Sequence, residues 1–135
     1  MSFTFTQGPF LSPLLGNEEI EVVFLIEAEL SAMLQFERDL AFCQAKLGII
    51  SAAASKAIAK ATESYEPDLE GPAKGAARDG LIVPEFVKQM RGQIGEEWGK
   101  YFHFGNTSHD VLDTSFLMRT ARALNYILQR IDKLF

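Results

Sequence analysis

The chain has 135 residues, 47% of them apolar and 11% aromatic, which is about one domain's worth of sequence with enough apolar side chain to bury a core. Thirteen Lys and Arg stand against 18 Asp and Glu, a net charge of −5, and this balance argues against duplex DNA or an anionic membrane surface as a partner. The longest unbroken apolar run, Val22 to Ile26, is far shorter than the roughly 20 residues of a membrane-spanning helix. The N-terminus shows no basic region followed by an apolar core and a cleavage site, and the single cysteine, Cys43, forms neither an internal disulfide nor a multi-thiolate zinc site. The expectation is a cytoplasmic protein without a metal, with no nucleic-acid or membrane partner, and with Cys43 as a small buried hydrophobe in a helix.

Strand patterning is nearly absent, the short Leu81-Ile82-Val83 apart, so the fold class expected is all-α. After a loop marked by Gly8-Pro9 and Ser12-Pro13, Asn17 suits a helix N-cap and Glu18, Glu19 and Glu21 load the first turn with favourable negative charge. Helical character runs on to Leu47 through Ile26, Leu30, Met33, Leu34, Leu40 and Ala41. Gly48 lies where a left-handed C-cap belongs, and a break is expected near Phe24 to Ile26, where the apolar run covers every face. Ser51 caps an alanine-rich helix through Thr62, and Glu66-Pro67-Asp68 opens a short piece that Asp79-Gly80 closes. Pro84 to Ile94 reads as a helix with Phe86, Val87, Met90 and Ile94 on one side, after which Gly92, Gly95 and Gly99 loosen the chain.

Thr107 to Phe135 contains no glycine or proline. Leu117, Ala121, Leu124, Leu128, Ile131 and Phe135 step by four, three, four, three and four, a heptad seam. A second row of Leu112, Phe116, Ala123, Ile127 and Leu134 widens the stripe and suits a bundle with several neighbours. Because Leu134 and Phe135 continue the seam with no stop signal, the chain is expected to be an N-terminal piece of a longer protein. A short protein that dimerises through its last helix is the alternative. The division expected is 1–106 as a helical domain with a signature loop and 107–135 as the start of a long bundle helix.

One segment stands apart: His103-Phe104-Gly105-Asn106-Thr107-Ser108-His109-Asp110-Val111-Leu112-Asp113-Thr114, at the head of that helix. Thr107 and Asp110 match a capping box, in which hydroxyl and carboxylate satisfy orphan backbone amides reciprocally. The same hydroxyls, amide and N–H groups at a positive helix terminus also make an anion site suited to a carboxylate, and both readings stand. His103, in the loop, is the better candidate to orient a substrate or move a proton. His109 is one turn from Asp113 and reads as a surface ion pair, and Lys88 with Arg91 reads as a solvated cationic face.

The segment HFGNTSHDVLDT resembles the first signature region of the fumarase/aspartase superfamily, in which a T-S-x-D segment at the head of a long bundle helix binds a substrate carboxylate. Within it, SPLLGNEEIEVVF, MLQFERDLAFCQAKLGII and LIVPEFVKQMRGQ are similar to the 3-carboxy-cis,cis-muconate cycloisomerases, lactonizing enzymes of protocatechuate breakdown in the β-ketoadipate pathway. The resemblance covers nearly the whole chain. Adenylosuccinate lyases carry Arg-His-Asp where this sequence reads Val83-Pro84-Glu85. The resemblance implies the N-terminal helical domain of a fumarase/aspartase-like fold, ending in the first part of a long central-bundle helix. It also implies an intramolecular lyase acting on a small tricarboxylate, no metal or organic cofactor, and a homotetramer.

Position by position, the resemblance makes Thr107 and Ser108 hold a substrate carboxylate, with Asn106 and His103 lining the same pocket, Asp110 bracing the loop, and Ser12 approaching from the N-terminal loop. His109 fills the variable position. The superfamily's acid/base serine lies in an SSxMPxKxN loop that does not occur in these 135 residues, so no catalytic residue is expected here and the chain alone is expected to be inactive. A fumarate-releasing lyase of the same superfamily, adenylosuccinate lyase-like, is the second enzyme reading. A non-catalytic helical oligomerisation module is the third.

Overall fold

A computed structural model describes residues 16–66, 68, 75–77 and 80–134. Among these every regular element is helical, with no strand, as the patterning requires. Asn17, in extended backbone, opens α1 (Glu18–Glu21), its side-chain oxygen accepting the Ile20 N–H at 3.0 Å. The chain then tightens into a 3₁₀ turn, Val22–Phe24, and Leu25 breaks it with φ −69° and ψ 160°. That is the expected interruption, placed where β-branched Val22 and Val23 resist the helix. Then α2 (Ile26–Lys46) runs 21 residues. It ends in a Schellman motif: Gly48 has φ +71°, its N–H bonds to Ala45 O at 3.1 Å, and Ile49 N–H bonds to Gln44 O at 2.9 Å.

Ser51 caps α3 (Ala52–Glu63) through its hydroxyl, which accepts Ala54 N–H at 3.1 Å. Most of the expected 66–80 piece lies outside the described residues; residues 75–77 are helical. Leu81-Ile82-Val83 forms no strand, since Val83 opens α4 (Val83–Ile94) with Pro84 in its first turn, where a missing N–H costs nothing. Gly92 lies inside α4 rather than loosening it, and Gly95, at φ +94°, caps it. A 3₁₀ turn, Gly99–Tyr101, leads to α5 (Ser108–Ile131), 24 residues long. Among the described residues no helix is long and apolar enough to cross a membrane.

The chain forms two compact units, Met33–Ser115, and Phe116–Phe135 together with the residues up to Ala32. In the first, α3 packs on α4, and Met33, Ile58, Phe86, Met90, Phe102 and Val111 are fully buried. Each such side chain contributes about 1.5–3 kcal/mol relative to exposure. Phe86 lies at its centre, edge-on to Phe102 at 5.7 Å and to Tyr65 at 5.8 Å between ring centroids. In the second unit Val23, Leu30 and Ala123 are buried, the Arg119 guanidinium sits 3.6 Å from Glu29 and 5.9 Å over the Phe24 ring, and Phe24 meets Phe116.

The expectation for Cys43 changes. Cys43 is exposed, not buried, because the covered face of α2 runs through Met33, Glu37, Ala41 and Gln44, and residue 43 is one position off that row. On α5 the covered row is Val111, Ser115, Arg119 and Ala123, while the heptad seam is open, Leu117 64% exposed and Leu128 56%. Among the described residues, the most apolar stripe of this helix is thus the one left exposed.

Candidate functional site

The loop between the 3₁₀ turn and α5 is built on two close approaches. Gly99 lies so near α4 that a Cβ there would stand 2.6 Å from the Arg91 carbonyl oxygen. The Arg91 guanidinium donates back to Phe102 O, Nε at 3.2 Å and Nη2 at 3.0 Å, fixing the peptide before His103. Lys88 pairs with Glu85 at 3.3 Å. Both cations of that face therefore have protein partners.

His103 then takes φ +59°, a left-handed conformation uncommon for a non-glycine residue. What holds it there is Glu37, in mid-α2 and buried to 1%. The Glu37 carboxylate accepts the His103 backbone N–H at 3.1 Å, faces the ring Nδ1 at 2.5 Å, and accepts the Asn106 side-chain N–H at 3.3 Å. A buried carboxylate is tolerable only when donors surround it, and here all three come from one loop. Gln44, two turns further along α2, donates to Phe104 O at 2.6 Å. The side-chain oxygens of Gln44 and Asn106 are buried without a hydrogen-bond partner among the described residues. The amide orientations follow from those bonds, since a flip would set oxygen against oxygen.

At the head of α5, Asp110 Oδ2 accepts the Thr107 N–H at 2.7 Å and the Thr107 hydroxyl at 3.1 Å. The box is closed through its carboxylate arm, with the hydroxyl proton spent on the same oxygen. Ser108 is the first residue of α5, and the opening N–H groups of a helix have no partner within it. His109 and Asp113 are both exposed, and no ion pair joins them.

Of the expected site residues, His103 and Asn106 meet on one carboxylate, and Thr107 and Asp110 meet each other; Ser12 lies outside the described residues. Sequence reasoning missed Glu37 and Gln44. The apolar row of α2 has Met33 and Leu34 on one side and Leu40 and Ala41 on the other, and the residue at the core position between Met33 and Ala41 is Glu37.

No family model matches the chain. A 3-carboxy-cis,cis-muconate cycloisomerase of Bradyrhizobium diazoefficiens is 31% identical over 87% of this chain and 27% of its own length. An adenylosuccinate lyase of Methanothermobacter thermautotrophicus is 33% identical over 74% of this chain and 22% of its own. The crystal structure of the β-carboxy-cis,cis-muconate cycloisomerase of Acinetobacter calcoaceticus ADP1 superposes with a TM-score of 0.86 at 27% identity, over 92% of this chain and 30% of that one. The chain spans about a quarter of the length of the curated relatives it matches. These relatives and structural neighbours, with the loop and the helix it opens, place the chain in the fumarase/aspartase superfamily.

Proposed function

We propose that this chain is the N-terminal portion of a cycloisomerase that closes 3-carboxy-cis,cis-muconate to 4-carboxymuconolactone, contributing a substrate-carboxylate site and not the acid/base group. The observation that carries the choice within the superfamily is the first turn of α4. There Val83-Pro84-Glu85 stands where adenylosuccinate lyases have Arg-His-Asp, and Pro84 serves only to start the helix. In the reaction a carboxylate oxygen adds across a conjugated double bond, and a proton reaches the carbon beside another carboxylate. As the bond forms, charge accumulates on that second carboxylate, and preorganised donors stabilise it. Ser108, with the opening N–H groups of α5, supplies such donors directly. The Thr107 hydroxyl does so once it turns from Asp110. Asn106 gives its N–H to Glu37 and keeps its side-chain oxygen buried, so it braces the loop rather than holding an anion.

With a net charge of −5 and with Arg91 and Lys88 engaged, some of the cations that balance a trianion come from other segments or subunits. The exposed seam of α5 supports self-association, as a homotetramer in the full-length enzyme. No metal or organic cofactor enters the reaction. A fumarate-releasing lyase is the second reading, favoured by the adenylosuccinate lyase relative at 33% identity.

The test is loss of diene absorbance when the full-length protein meets 3-carboxy-cis,cis-muconate, with Thr107→Ala plus Ser108→Ala lowering turnover by about 10²-fold or more. Cleavage of a succinyl adduct without lactonization moves the assignment to the lyase. A folded full-length protein that neither turns over nor binds di- or tricarboxylates leaves the interaction module.

A further inference from the structure

The mechanism above does not use Glu37, yet this is the most costly residue in the unit to bury. A core position of α2 that an aliphatic side chain would fill is given to a carboxylate 1% exposed, and every donor recorded on it belongs to His103 or Asn106. If its work were only to anchor the loop, the His103 backbone N–H and the Asn106 amide would suffice. The third contact, ring Nδ1 at 2.5 Å, orients an imidazole that the left-handed backbone of His103 has already turned toward α2.

We propose that Glu37 is the positioning residue of His103: its carboxylate holds the proton on Nδ1 and so presents Nε2 as the ring atom that meets a bound substrate. An ionised carboxylate only accepts, so the nitrogen facing it carries hydrogen, and in the neutral ring the other nitrogen is then the acceptor. No described residue bonds Nε2, and the side chain keeps 13% exposure, so the ring is held at Nδ1 and is not fully enclosed. Carboxylate-backed histidines in metal sites fix tautomer and ring direction by this same geometry. The inference rests on the reading that the loop faces substrate, and it adds which ring atom does so and why.

The test needs no substrate. Long-range proton–nitrogen spectra of the ¹⁵N-labelled chain, at a pH where the rings are neutral, assign the ring proton of each histidine, with exposed His109 as the solvated reference. The expected result is a dominant Nδ1–H tautomer at His103. In Glu37→Gln that tautomer falls to the pattern of His109, while Asn106→Ala, which removes another donor from Glu37, leaves the His103 ring as in the wild type. A wild-type His103 protonated on Nε2 overturns the proposal, and so does a folded Glu37→Gln whose ring is unchanged. The wild-type spectrum decides alone if Glu37→Gln does not fold. Failure here leaves the carboxylate-site reading intact, and failure of carboxylate binding leaves the tautomer assignment intact.

Discussion

Two glycines of the same region are expected to respond to alanine with opposite signs. At Gly99 the added Cβ meets backbone, 2.6 Å from Arg91 O and 3.3 Å from Arg91 C, whereas ordinary contact begins at 3.4 Å. Relief therefore requires a shift of about 0.8 Å, the difference between 3.4 and 2.6 Å, in a carbonyl that also caps α4 by accepting the Gly95 N–H. Overpacking against groups this constrained costs about 2 kcal/mol. Gly92 lies in α4 with nothing within 4 Å of its Cβ position, so alanine there stabilises by about 0.5–1 kcal/mol. Trp98, the lone tryptophan, reports urea unfolding of this unit. With a slope of about 2 kcal/mol per molar, Gly99→Ala lowers the midpoint by about 1 M, and Gly92→Ala raises it by about 0.3 M. Equal midpoints for Gly99→Ala and wild type would refute the close approach of the 3₁₀ turn to α4.

Three further outcomes are expected. Phe86→Ala empties the centre of the aromatic cluster and costs about 3–5 kcal/mol, read as lost cooperativity in the Trp98 transition; a cost under about 1 kcal/mol contradicts its place in the core. Asp110→Asn removes the charge that Thr107 N–H and hydroxyl both address, lowering stability by about 1 kcal/mol. That loss shrinks in high salt if the helix terminus is the cause, and a salt-independent loss speaks against it. Burial of the Tyr65 phenol, and then the nearby Asp68 carboxylate, raise its pKa above the ordinary tyrosine value. The native state therefore keeps that proton longer than the unfolded chain. The associated stability is complete below about pH 10 and is lost as pH rises through the raised pKa. Tyr65→Phe is expected to flatten that alkaline fall in denaturation midpoints, and an unchanged slope removes Tyr65 as its source.

Among the candidate site residues, those whose geometry is local were legible beforehand. Thr107 and Asp110 are three residues apart and meet through one turn of backbone. The caps at Asn17, Ser51 and Gly48 were equally readable, because each is a contest between a few neighbouring dihedrals and the orphan groups of one helix end. The break at Leu25 belongs with them, since β-branching and an all-round apolar run act on the chain where they stand.

Glu37 was not legible as part of the site. A charge in an apolar stripe has many explanations until the loop 66 residues later is seen closing on it. The exposure of Cys43 and the choice of Val111, Ser115, Arg119 and Ala123 as the covered row of α5 were likewise decided by which neighbours arrived, not by hydropathy along the helix. By itself the sequence determined the all-α class and the capped helix ends, because propensity, capping and periodicity act over a few residues; the uncapped last helix, expected to run on to Phe135, ends at Ile131. Only the tertiary structure decided which face each helix hides and which carboxylate holds the loop histidine, because those depend on burial and pairing between segments that the order of the chain does not relate.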